Sequence, residues 1–282
     1  ELEHTDCYND LDDLQNAFLK FSKSVPFYGE VIVCIDSPGV REILTKIERP
    51  MTTYGKSRDA VYRAKNIRFR ENKSTYSVFR SKENLGEIQV ALPGEHNVLN
   101  SLAAVTVGLE MGLSFQSIQS SLKKYDGVRR RFDIKTKNRN IIVVDDYAHH
   151  PTEIEVTLKA AKGGWDRRII AVFQPHLFSR TKSFFREFAQ SLQLADMIFI
   201  TNIYPAREAP IPGISSELIY IECINMGHKL CYLVPDFNDI PKKLDRIIQD
   251  NDMIITLGAG NIWRFSEEYA LHLEKNIVGV KN

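Results

Sequence analysis

Long apolar runs are missing from this sequence. No stretch approaches the ~20 consecutive apolar residues of a bilayer-spanning helix, and no secretory signal is present, so no membrane partner is expected. Cysteine is scarce. Cys7, Cys34, Cys223 and Cys231 form no CxxC pair, and Cys223 and Cys231 lack the spacing and the paired histidines of a zinc site. Isolated thiols in mostly apolar contexts predict reduced cysteines and a cytoplasmic protein. Charge of one sign is missing too. Lys plus Arg number 37 against 36 for Asp plus Glu, a net charge of +1, so there is neither the basic stripe that nucleic acid requires nor an acidic tail. Internal repeats and low-complexity tracts are absent. The first residue is Glu1 rather than Met, inside an acidic segment, which reads as the interior of a longer protein.

What is present is an ordinary globular composition, with 43% apolar and 26% charged residues over 282 positions. At ~100–200 residues per domain, that length predicts two domains, or one large one. Leu11, Leu14, Phe18 and Phe21 have helical spacing over 9–23. Residues 30–35 read as a buried strand ending in a turn at Asp36-Ser37-Pro38-Gly39. Alternation over 66–92 predicts two or three strands in antiparallel hairpins. Pro93-Gly94 breaks it, a helix starts at Glu95, and a short one follows at 114–124. The basic run at Gly127–Phe132 sets the boundary, giving domains 1–129 and 130–282.

The second part is more regular. Strand candidates at 141–147, 168–174, 197–203, 229–234 and 252–258 alternate with helix-length segments near 152–162, 181–194, 214–226, 238–250 and 261–275. This predicts an α/β fold with parallel βαβ units in a doubly wound sheet. Ligands of such sheets bind at the carboxyl ends of the strands.

Polar segments follow those ends. Asp145-Asp146-Tyr147-Ala148-His149-His150-Pro151-Thr152-Glu153 places two carboxylates and two imidazoles before a helix start. These groups suit ribose hydroxyls, a cation, a carboxylate or a proton near neutral pH, or simply a capped helix. His176 and Arg180 follow the next strand, and the arginine suits a carboxylate or phosphate, or a neighbouring acid. Arg207 and Glu208 sit in a loop stiffened by three prolines, where they suit a ligand or each other. His96, Asn97 and Asn100 share a helix face, suiting either an adenine edge or a cap. Glu1, Glu3 and Asp6 flank His4, as a divalent-ion site or a solvated surface. Gly258-Ala259-Gly260-Asn261 offers amides to an anion, a weak signal without the rest of a dinucleotide fingerprint. Five of the seven histidines fall in these segments.

Taken in order, TYG at 53–55, PGEHNVLNSLAA from Pro93, GVRRRF from Gly127, DDYAHHPTEI from Asp145, FQPHLFSRT from Phe173, YPAREAPIPG from Tyr204 and GAGNI from Gly258 resemble the Mur ligase family. They are most similar to its alanine-adding branch, the UDP-N-acetylmuramate–L-alanine ligases of peptidoglycan synthesis. The resemblance implies part of a central ATP-binding domain, with antiparallel hairpins and helices, followed by a Rossmann-like C-terminal domain for substrate and amino acid. It implies a cytoplasmic monomer or homodimer using ATP and Mg2+, with UDP-N-acetylmuramate and L-alanine as substrates joined through an acyl phosphate. His4 would bind magnesium. His96, Asn97 and Asn100 would lie against adenine, Arg130 and Arg131 would face the nucleotide, and Asp146, with Asp145, would hold the ribose. Tyr147, His149 and Arg180 would serve the muramate carboxylate and the incoming alanine, with His149 as a base by position and Arg180 beside it. His150, His176, Arg207 and Glu208 would support them. Leu177 stands where family members often carry a basic residue. The family's GxxxxGK[ST] phosphate loop is not in this sequence, so this chain alone is expected to be inactive. The alternatives are a murein-recycling peptide ligase of the same fold and a non-catalytic binding module.

Overall fold

Two hydrophobic patterns, one alternating and one continuous, give two different sheets. The structure, a computed structural model, describes residues 7–137 and 140–278. It divides into two units, one running to Ala91 and resuming at Glu95–Tyr125, the other comprising Leu92–Gly94 and the chain from Asp126 onward. The sequence reading had set this division at 129/130.

The first unit begins with α1 (Leu11–Lys23), whose start is capped by Asp10: its side chain accepts from the Asp13 amide at 2.8 Å. Then come β1 (Val31–Cys34), α2 (Pro38–Ile43), β2 (Met51–Gly55), β3 (Tyr62–Arg70), β4 (Lys73–Arg80), β5 (Glu83–Val90), α3 (Glu95–Glu110) and α4 (Phe115–Lys123). The strands form one sheet in sequence order. β1, β2 and β3 run parallel, whereas β3–β4 and β4–β5 are antiparallel hairpins. Alternate residues of the hairpins face inward: Tyr62 and Ala64, then Ser74, Tyr76 and Val78, then Ile88 and Val90. Val98, Leu102 and Val105 of α3 cover that face. The expected turn at Asp36–Gly39 is only half a turn. Pro38 occupies the first turn of α2, where its missing N–H costs nothing.

The second unit contains β6 (Asp133–Thr136), β7 (Ile142–Asp146), α5 (Pro151–Gly164), β8 (Arg168–Phe173), α6 (Phe178–Leu192), β9 (Met197–Ile200), α7 (Glu217–Asn225), β10 (Cys231–Leu233), α8 (Ile240–Leu244), β11 (Asp252–Leu257) and α9 (Trp263–Val278). The sheet order is β10-β9-β8-β11-β7-β6, parallel except for β6 at the edge. Both faces are covered, which is why the strands read as continuous apolar runs. Ile142 and Val144 of β7 and Ile169, Ala171 and Phe173 of β8 point to a core shared with α5, α6 and α7. Val143, Ile170 and Val172 point to the opposite core, shared with α8 and α9. The expected helix over 238–250 is a single 3₁₀ turn followed by the short α8, with Pro241 in its first turn.

Candidate active site

The carboxyl ends of β7, β8, β9 and β11 gather the polar segments singled out in the sequence. Asp145 and Asp146 end β7 and point to opposite sides of the strand. Asp145 is fully buried and accepts from Thr256 Oγ1 at 2.8 Å and Arg130 Nε at 3.1 Å. The same guanidinium donates to the Gly258 carbonyl at 2.6 Å. Burial raises the Asp145 carboxyl above its ordinary range, against the pull of Thr256 and Arg130. Asp146 accepts backbone N–H groups of Phe132 and Ala148, each at 2.8 Å. Burial pushes it up to about 6 despite those two bonds. Arg130, expected at a nucleotide, makes this pair with its side chain still 23% exposed. Arg131 instead stays on the surface, its Nη1 3.3 Å from Glu153 Oε1.

Tyr147 follows, its ring centroid 4.8 Å from the Arg130 guanidinium and 5.1 Å from the His149 ring. The α5 start then folds on Glu153. Its Oε2 accepts from the backbone amides of His149 at 2.9 Å and His150 at 3.2 Å, the reach-back half of a capping box. It also lies 3.1 Å from His149 Nδ1, which meets the Tyr147 carbonyl at 2.9 Å. Burial alone would raise Glu153, but the His149 bonds and Arg131 outweigh it and pull it down to about 2. His150, buried, packs edge-on against Phe184.

His176 stacks on Tyr204, with ring centroids 5.8 Å apart, and meets His149 edge-on at 5.9 Å. Burial, then the Arg180 and His149 charges, hold it down at about 4, so its imidazole is neutral at pH 7. Its Nδ1 and Arg180 Nη1 are buried polar atoms with no hydrogen-bond partner among the described residues. The unpaired guanidinium N–H at this strand end suits an anionic ligand. Between His176 and Arg180, Leu177 has φ +69° and ψ 138°, a backbone state that L side chains rarely adopt. Its N–H donates to the Tyr204 carbonyl at 3.0 Å and its carbonyl accepts from Thr181 Oγ1 at 2.9 Å. Glu208 anchors the α6 start: it accepts from the Ser179 amide at 3.0 Å and from the Ser179 hydroxyl. Burial opposes these bonds, yet they hold its carboxyl below the ordinary range. Arg207 does not pair with Glu208; it is exposed and makes no ion pair among the described residues.

Sequence reading placed Gln174 and Tyr204 in the strand-end motifs but gave them no role, and it missed the packing use of the two glycines. Gln174 Nε2 donates to Asn261 Oδ1 at 2.8 Å, and its Oε1 accepts from the Ile262 amide at 3.2 Å. A Cβ on Gly258 would stand 2.7 Å from the Gln174 carbonyl, and one on Gly260 2.6 Å from the Tyr204 ring. The Gly-Ala-Gly turn therefore serves close packing; within it the Gly258 amide donates to the Asp146 carbonyl at 3.2 Å, and the Ile262 amide just after it is taken by Gln174.

In the first unit, His96, Asn97 and Asn100 lie on the first two turns of α3, with Asn100 exposed. Asp36 clamps the turn after β2, accepting from the amides of Lys56 at 2.7 Å and Ser57 at 3.0 Å. His4 lies outside the described residues. Among the described residues no three His, Cys, Asp or Glu side chains converge as a metal site.

Comparison with known proteins gives this arrangement its relatives. The family model described as Mur ligase middle domain matches residues 1–108, and that described as Mur ligase, glutamate ligase domain matches residues 130–260. A UDP-N-acetylmuramate--L-alanine ligase from Salinibacter ruber is 44% identical over 98% of this chain and 58% of its own length. One from Syntrophotalea carbinolica is 41% identical over 98% and 60%. The crystal structure of a UDP-N-acetylmuramate-alanine ligase from Thermotoga maritima superposes with a TM-score of 0.76 at 26% identity, covering 97% of this chain and 57% of that one. The chain therefore spans a little under two thirds of the relatives it matches. It belongs to the Mur ligase family, of which it carries the middle and glutamate ligase domains.

Proposed function

We propose that the protein containing this chain is a cytoplasmic, ATP-dependent amide ligase that joins L-alanine to the muramate carboxylate of UDP-N-acetylmuramate. The observation that carries this reading is the buried, unpartnered Nη1 of Arg180 beside His176 and His149 at one strand end. The names of the relatives at 41% and 44% identity support it. In this reaction the carboxylate becomes an acyl phosphate, the amine attacks, and a tetrahedral intermediate collapses to the amide. Arg180 offsets negative charge on the carboxylate and then on the developing oxyanion. Neutral His176 and Tyr147 shape the pocket, with Glu208 holding the α6 start in place. His96, Asn97 and Asn100 are assigned to the adenine.

Among the described residues no three His, Cys, Asp or Glu side chains converge as a divalent-ion site. The roles proposed for the described residues are at the adenine, the ribose beside Asp146, the acceptor carboxylate and the amine. The test is ATP-dependent phosphate release by the complete gene product. Release that requires both UDP-N-acetylmuramate and L-alanine is expected. Release with a ready-made peptide in place of L-alanine would instead indicate a murein peptide ligase, and nucleotide binding without release a binding module.

A further inference from the structure

Glu153 makes more bonds than a helix cap needs. One oxygen takes the amides of His149 and His150 and also faces His149 Nδ1 at 3.1 Å, while the other faces Arg131 at 3.3 Å. The Tyr147 carbonyl lies 2.9 Å from the same Nδ1. Both neighbours of that nitrogen are oxygens without a proton: a carbonyl, and a carboxylate ionised at every pH near neutrality. A nitrogen between two acceptors must be the donor. The proton of neutral His149 therefore sits on Nδ1, and Nε2 carries the lone pair. Nε2 has no partner among the described residues, and the side chain remains 14% exposed.

We infer that Glu153 is the positioning residue of this site: with the Tyr147 carbonyl it locks His149 as the Nδ1–H tautomer and so presents Nε2 as the general base for the incoming amine. The amine belongs to the ligase reading above; the tautomer does not depend on it. As the C–N bond forms, one amine proton moves to Nε2. The C–O bond to phosphate breaks, and the phosphate leaves with the electron pair. The resulting imidazolium lies against the Glu153 carboxylate, which stabilises it, as buried acids do for histidine bases generally. The other groups facing His149 are Tyr147, His176 from the turn after β8, and Arg131 through Glu153.

Glu153→Gln separates the cap from the charge. Glutamine serves the same capping position as glutamate, accepting the backbone amides, but offers no negative charge to the imidazole. Nitrogen-15 spectra of this chain, with His149 assigned through His149→Gln, should show Nδ1 protonated and Nε2 unprotonated in the neutral ring. In Glu153→Gln the melting temperature should hold. In the complete gene product the same variant should lower kcat for L-alanine about tenfold or more and change KM little. Glu153→Ala, which also loses the cap, should lower the melting temperature. An Nε2–H tautomer in the unsubstituted chain, or an unchanged kcat in Glu153→Gln, overturns the inference. The expected spectra without L-alanine-dependent turnover would leave the Glu153 clamp standing and remove both the base role and the ligase reading.

Discussion

The Arg130 guanidinium lies 3.1 Å from the fully buried carboxylate of Asp145. Arg130 has φ +62°, and its guanidinium also donates to the Gly258 carbonyl at 2.6 Å. Removing one partner leaves an unpaired charge in the interior. Arg130→Ala should lower stability by about 3 kcal/mol in urea denaturation. The double variant Arg130→Met with Asp145→Leu should lose less than the sum of the single changes.

Arg180 makes the opposite prediction. Its Nη1 has no partner to lose within the described protein, so Arg180→Lys should leave the melting temperature within a degree or two. Binding of UDP-N-acetylmuramate by calorimetry should weaken by about tenfold or more, since a charge-assisted, forked contact is worth roughly 1.5–3 kcal/mol and an ammonium does not reproduce its geometry.

Gly260 tests packing. Its missing Cβ leaves room for Tyr204, whose Cγ would stand 2.6 Å away. Gly260→Ala should cost about 1–3 kcal/mol by thermal unfolding, and should shift Tyr204 and, with it, the stacked His176.

His176 gives a pH dependence with a defined sign. Its pKa is about 4 when folded and 6.5 in the unfolded reference, so the unfolded chain binds the extra proton between these values. Stability from this residue is complete above pH 6.5 and is lost as pH falls towards 4. Asp146 works in the other direction: at about 6 folded against 3.8 unfolded, its contribution falls as pH rises between those values. The difference in unfolding free energy between the unsubstituted protein and His176→Asn isolates the histidine, and should shrink from pH 7 to pH 4.

The sheet of the second unit was legible because its strands are buried on both faces and are followed by turn residues. Two strands were not. β2 spans five residues and β6 four, and Asp-Ile-Lys-Thr in β6 has a single strongly apolar side chain. β6 is a strand because β7 offers it an edge, which is information at a distance. The site shows the same limit. Adjacent polar residues at a strand end could be placed at the site, but which of Arg130 and Arg131 pairs with buried Asp145 is not revealed by spacing. Likewise Glu153 was readable as a helix-start acid, whereas its bond to His149 Nδ1 needed coordinates.

Leu177 holds a conformation worth of order 1–3 kcal/mol of strain for a residue with a Cβ. The hydrogen bonds that hold it run to Tyr204 and Thr181, beyond β9 and within α6. Thr181 is local to the turn after β8, but Tyr204 lies beyond β9, so this turn keeps its shape only while a segment far off in sequence is in place. The spacing between His176 and Arg180 therefore rests on that distant contact as well as on the first turn of α6. Leu177→Gly would make that spacing easier to reach and also easier to lose, trading a fixed turn for a looser one in a more stable chain.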